Sequence, residues 1–208
     1  NFVHIMLEML DSFDKIVGID TLERAIESAN KTFKQDNVTF EVMMAEDMRF
    51  DDETFDVVTF SNSVHHMKTP SKVFKEMERV LKKGGKLVIL EMMSDNLDEQ
   101  QMSHVMVHHF AAEIDREFGE YHAPTMTKDE IIMTINAHYS LTIKDSWNLF
   151  YNRKKENTNE EIKWLLETVD RLAGKIEENH KKYTYFKEKA ETIKAYINKH
   201  GCESAKMM

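Results

Sequence analysis

The sequence predicts an α/β fold: a mostly parallel sheet with helices on both faces, then a helical insertion and a C-terminal helical pair. Three observations predict it. From residue 2 to about 93, short apolar runs with polar ends alternate with amphipathic runs of helical period, the pattern of strands joined by crossover helices. Capping and glycine signals bound the helical runs. After residue 94 the alternation stops, and the chain becomes rich first in Met and His, then in Lys and Glu.

Each element has its own signal. Residues 2–10, "FVHIMLEML", read as a helix already under way, with no cap before it. "KIVGID" reads as a strand that ends in a carboxylate, Asp20. Residues 22–34 place Leu22, Ala25, Ile26, Ala29 and Phe33 along one helix face. "VTFEVM" (38–43) is a second strand, "AEDMRFDDETF" an acidic loop and "DVVTFSN" (56–62) a third strand. A helix over 70–82 starts with Pro70 in its first turn, where a missing N–H costs nothing, and Gly84-Gly85 closes it. "KLVILEM" (86–92) is the fourth strand.

Beyond it, 98–118 reads as a helix, and Gly119 and Pro124 mark a loop. Thr127 with Glu130 forms a capping-box pattern for a short helix. "SLTIKDSWNLFYN" alternates as a strand, and "CESAKMM" begins a last edge strand. Residues 158–200 carry two apolar stripes, Ile162 to Ile176 and Phe186 to Ile197, as expected of a helical pair. The domain reading is a core over 1–94, a lid over 95–135, and C-terminal strands and helices over 136–208 that complete the same domain.

Bulk properties narrow the function. The chain has 208 residues and a formal net charge of −9, which disfavours a general electrostatic grip on nucleic-acid phosphates. No apolar run reaches the roughly 18 residues that span a bilayer. The single cysteine, Cys202, excludes an internal disulfide framework and a Cys-rich zinc site, and a reducing, cytoplasmic setting fits it. The 15 methionines are read as flexible core filler.

In an open parallel sheet, ligands bind outside the C-terminal strand ends. Here those ends are Asp20, "MMAED" (43–47), "SNSVHH" (61–66) and Glu91, so polar groups converge on one rim. A carboxylate accepts hydrogen bonds without donating, which suits paired ribose hydroxyls. The plainer reading of Asp20 is a helix cap. "KIVGID", "AEDMRFDDETFDVVTFSNSVHHM" and "VFKEMERVLKKGGKLVILE" together resemble the successive motifs of class I S-adenosylmethionine-dependent methyltransferases. The likeness is to the small-molecule branch that includes the ubiquinone and menaquinone biosynthesis enzymes, and it runs from residue 1 to about 93.

The resemblance implies a Rossmann-like fold, S-adenosyl-L-methionine as cofactor and a small-molecule methyl acceptor, in a monomer or homodimer. It implies that Asp20 holds the ribose and that Thr21 and Leu22 lie on one adenine face. Met44, Ala45 and Glu46 fall at the adenine edge. Ser61 and Asn62 fall beside the methionine part. Relatives commonly carry Asp or Asn where Met44 stands, so a backbone contact is implied there. The family's first strand and glycine-rich loop precede a helix like 2–10. They are expected in a segment of roughly 30–60 residues before Asn1, within ordinary domain size.

Histidines offer further chemistry. His65, His108 and Tyr121 are the general-base candidates for an acceptor that must lose a proton. Tyr121 and His122 sit in a predicted lid loop. His104 and His108 have H-x-x-x-H spacing, but no Glu follows the first His as in zinc proteases. They read as pocket or surface residues, and no metal is expected. Two other readings stay open on sequence alone: a nicotinamide-dependent oxidoreductase of the same fold, and a catalytically degenerate binding protein.

Overall fold

Residues rich in β-branched side chains around a central glycine form β1 (Ile16–Asp20). The structure, a computed structural model, describes residues 2–138, 143, 145, 146, 158–205 and 207. Strand β1 runs parallel to β2 (Val38–Val42), in register from Ile16 opposite Val38 to Asp20 opposite Val42. Helix α2 (Glu23–Thr32) connects them. Gly18 lies opposite Phe40, and a Cβ at position 18 would stand 2.6 Å from Phe40 Cδ1. The ring therefore fills the space that any side chain at 18 would need. Helix α1 (Phe2–Met9) contributes Val3, Met6 and Leu7 to the apolar cluster around Ile16, Phe33 and Val38.

The second ladder pairs β3 (Phe55–Ser61) with β4 (Leu81–Leu90), joined through α3 (Pro70–Val80). Helix α3 opens at Pro70 as predicted and buries Val73, Phe74, Met77 and Val80, an i, i+1, i+4, i+7 stripe. Its end departs from expectation. The helix closes at Val80, and not at Gly84-Gly85, because the acidic loop captures its last carbonyls. Glu53 N–H donates to the Arg79 carbonyl and Thr54 N–H to that of Val80, each at 2.8 Å. The chain then enters β4 at once, and Gly84 bends inside it with φ +81°.

Arg79 fastens the same loop. It donates to the carbonyls of Phe50 (2.7 Å) and Met48 (2.8 Å) and to the carboxylate of Asp52 (2.9 Å). Glu76 accepts from Arg79 and also from Met48 N–H (2.8 Å), and these bonds hold its carboxyl below the usual range. Arg79→Ala is expected to release residues 48–52 and raise their cleavage in limited proteolysis several-fold. Unchanged cleavage would show that the loop holds without it.

The chain divides into two compact units. The first is Asn1–Ser61 with Thr69–Val88, and the second is Asn62–Lys68 with Ile89–Met208. The divisions thus fall away from residues 94 and 135 of the sequence reading, and a seven-residue turn inside the first half belongs with the second.

In the second unit a 3-10 turn (Val64–His66) is followed by α4 (Glu99–Glu117), α5 (Lys128–His138), α6 (Thr158–Ala173) and α7 (Tyr183–His200). Asp98 caps α4 in a capping box with Gln101. Thr127 and Glu130 form the predicted box at α5, with N–H to side-chain distances of 2.8 and 3.2 Å. The predicted helical pair is α6 and α7. Helix α4 joins them in one apolar core that includes Phe110, Ile114, Leu165, Val169, Phe186 and Ile197. The strand expected over 139–151 lies outside the described residues. Among the described residues, the expected last edge strand is one antiparallel bridge, Met92 to Met207.

Candidate functional site

The first unit presents a rim at the ends of β1 and β2. Asp20 and Val42 are the last paired residues, so the segments that follow them leave the ladder side by side. Asp20 is exposed, and one oxygen of its carboxylate accepts from Leu22 N–H at 2.8 Å. That bond closes an Asx-type turn before α2, whose N-cap residue is Leu22 and carries no side-chain cap. Leu22 and Met44 each stand two residues past the last pair and are 49% and 56% exposed. Ala45 and Glu46 are half-buried beside them in sequence. Ser61 ends β3. The next residue, Asn62, has φ +49°, a left-handed backbone that non-glycine residues seldom adopt. Its N–H donates to the Leu90 carbonyl at 2.8 Å.

The second unit holds a histidine cluster built around a buried carboxylate. Glu91 is 0% exposed. Its Oε2 accepts from Ser63 N–H (3.1 Å) and Val64 N–H (2.9 Å), and its Oε1 meets His65 Nδ1 at 2.5 Å. A carboxylate only accepts, so Nδ1 carries the proton and Nε2 presents a lone pair. That Nε2 is buried with no hydrogen-bond partner among the described residues. His122 repeats the arrangement: its Nδ1 lies 2.8 Å from Asp115 Oδ2, and its Nε2 lies 3.4 Å from His108 Nε2. Arg116 donates to the His122 carbonyl, and Ala123 N–H donates to the His65 carbonyl at 2.9 Å. The loop after α4 is thereby sewn to the 3-10 turn.

The rings crowd one another. His65 stacks on His122 at 5.5 Å between centroids and meets His108 edge-on at 4.7 Å, while His66 lies 4.0 Å from His122. Burial first, then the neighbouring imidazoles, push His108 down to about 3 and His66 to about 4. His122 is lowered by burial against the opposing pull of Asp115. Burial works against the charge of Asp115, but hydrogen bonds from His122 and Lys175 outweigh it and keep that carboxyl low. Burial and mutual repulsion thus disfavour the charged forms of His66, His108 and His122.

The predicted residues thus fall into two groups. Asp20, Thr21, Leu22, Met44, Ala45, Glu46 and Ser61 belong to the first unit, and Asn62, His65, His108 and Tyr121 to the second. His65 and His108 come together. Tyr121 is half exposed on the adjoining loop. His104 is not in the cluster, since its Nδ1 accepts from Ala205 N–H at 3.1 Å. His109 bonds Thr125. Sequence reasoning placed Glu91 at a strand end without its partners, and it missed Asp115. The available signal was that Asp115 follows His108 by seven residues, two turns along one helix face.

Comparison with known proteins bears on the first unit. Residues 3–89 match the family model described as "Methyltransferase domain". The ubiquinone/menaquinone biosynthesis C-methyltransferase UbiE of Geobacter sp. is 40% identical over 86 residues, 39% of this chain and 37% of that protein. The demethylmenaquinone methyltransferase of Alkalihalophilus pseudofirmus is 38% identical over 80 residues, 37% of this chain and 34% of that protein. The match spans about a third of the length of these curated relatives. Among solved structures, the YcgJ protein of Bacillus subtilis superposes with a TM-score of 0.51 at 18% identity, over 85% of this chain and 80% of that one. The parallel β1–β2 ladder and its crossover helix agree with these matches: residues 3–89 are similar to the methyltransferase domain, and the fold is Rossmann-like.

Proposed function

We propose that the protein transfers the methyl group of S-adenosylmethionine to a nucleophilic atom of a small molecule. The observation that carries this reading is the paired end of β1 and β2. It sets the exposed Asp20 carboxylate beside two exposed apolar side chains, Leu22 and Met44, within the methyltransferase-like stretch. An ionised carboxylate has about four acceptor sites. The Leu22 N–H uses one, which leaves Asp20 able to take a pair of ribose hydroxyls. Leu22, with Thr21, suits one face of an adenine, and Met44, Ala45 and Glu46 its edge. Ser61 and the left-handed Asn62 are assigned to the methionine end.

When bound, S-adenosylmethionine supplies a methyl on a positively charged sulfur, an electrophile that needs no further activation. What remains for the protein is alignment and the exclusion of water. Residues 95–135 are assigned to the acceptor, in keeping with a net charge that suits a small molecule over nucleic acid. No described helix is long and apolar enough to cross a membrane. Where the acceptor atom carries a proton, His65 is the preferred base. Glu91 fixes its tautomer with Nε2 unprotonated, and the same carboxylate stabilises the imidazolium that forms. His108, held near 3, accepts a proton poorly, and Tyr121 stands second to His65 because of its exposure.

Calorimetric titration tests the reading. S-adenosylhomocysteine is expected to bind and NAD not to. Asp20→Ala should weaken that binding by about 1.5–3 kcal/mol, roughly 10–150-fold, the range for hydrogen bonds to a charged group. Unchanged affinity in a folded variant would remove Asp20 from the site. Binding of NAD alone would replace methyl transfer by nicotinamide chemistry.

A further inference from the structure

We propose that His65, His108 and His122 form a three-histidine site for a divalent transition metal ion of the zinc type, with its remaining coordination position open to an oxygen or sulfur ligand. The three side chains offer ligand nitrogens within 4.8 Å of one another. Nitrogens bound tetrahedrally to zinc at about 2.0–2.1 Å stand about 3.3–3.4 Å apart. The His108–His122 separation is already 3.4 Å, so closure needs only a small movement of the third ring.

The surroundings are those of a built site. Ligating histidines characteristically give their other N–H to a carboxylate, which fixes the tautomer and raises the basicity of the ligand nitrogen. Two of the three do so here, His65 to Glu91 and His122 to Asp115. The glutamate is itself fixed by two backbone amides, and Asp115 is held by Lys175 at 3.3 Å. The lone pair on His65 Nε2 is buried without a partner among the described residues. An unmade hydrogen bond of that kind costs about 1–3 kcal/mol, and a metal ion would satisfy it. The other nearby histidines are otherwise engaged, His109 with Thr125 and His104 with Ala205.

The site extends the base assignment and replaces it at one atom. With a metal on His65 Nε2 that nitrogen cannot accept a proton. The ion instead lowers the pKa of a water, hydroxyl or thiol at its open position. The inference does not rest on methyl transfer, because it concerns ligand atoms of the second unit alone.

The test uses the purified full protein, stripped with chelator and titrated with Zn2+ in competition with a zinc indicator, and in parallel with Co2+. One equivalent of Zn2+ per chain is expected, together with the intense visible absorption of four-coordinate Co2+. His122→Ala and His108→Ala should each lose at least 100-fold in affinity. Asp115→Asn should lose about 10–100-fold, and His104→Ala should lose nothing. Circular dichroism accompanies each variant, and the Co2+ spectrum of the unaltered protein stands whether or not a variant folds. A six-coordinate Co2+ spectrum, affinity weaker than about 10 μM, or affinity unmoved by His122→Ala in a folded protein would each overturn the site. Titration with S-adenosylhomocysteine is read separately, so loss of the metal site leaves the methyl-transfer reading intact, and the reverse.

Discussion

Glu91→Ala is expected to cost about 3–5 kcal/mol, the sum of hydrogen-bond donors left without an acceptor at about 1–3 kcal/mol each. The wild-type carboxylate holds two backbone amides and the His65 ring at 0% exposure. Alanine removes the acceptor of the Val64 amide and of the His65 ring, both buried, and of the half-buried Ser63 amide, and it opens a cavity the size of the lost side chain. With a urea slope of about 2 kcal/mol/M, the midpoint should fall by about 2 M. Glu91→Gln should cost less, because one oxygen still accepts from the amides. A midpoint for Glu91→Ala within 0.5 M of wild type would mean that the turn at 63–65 does not depend on this carboxylate (about 1 kcal/mol at that slope).

Phe110→Ala is expected to cost about 3–5 kcal/mol as well, for a different reason: apolar transfer plus a cavity that helices cannot close. Phe110 is 0% exposed and lies 6.2 Å from the ring of Phe186, in the core shared by α4, α6 and α7. Trp164 provides the contrast. It is larger but 60% exposed on α6, and Trp164→Ala should fall within about 0.5 kcal/mol of wild type. Denaturation of the two variants side by side separates burial from size. If both cost the same, α4 is not part of that core.

The elements most legible in the sequence were those whose determinants are local. β1, α2 and β2 follow from alternation and helical spacing, and α5 from the Thr127–Glu130 box, which forms as written. The end of α3 was not legible, because what stops it is not the glycine pair but loop amides of residues 53 and 54, over 20 positions away. The same distinction governs the sites. Asp20 and its neighbours could be assigned from a contiguous motif. The histidine cluster could not, since His65, His108 and His122 are brought together by a strand-end glutamate, a helix and a loop. Their spacing along the chain carries no sign of it. The H-x-x-x-H pair that spacing did suggest was misleading, because His104 is turned to a backbone amide.

Residues 62–68 belong to the second unit although both flanks belong to the first. The consequence is one of timing. During synthesis this turn leaves the ribosome ahead of three partners it acquires: Glu91, then His108 of α4, then the loop bearing His122. At about 5–20 residues per second, the roughly 60 residues from His65 to His122 take about 3–12 s to appear. Val64, which is 3% exposed in the folded chain, and the buried His65 ring wait through that interval for the Glu91 carboxylate and the loop after α4. A chain arrested just after Val88 would hold the whole first unit together with a tethered turn that has not yet met Glu91, α4 or the His122 loop.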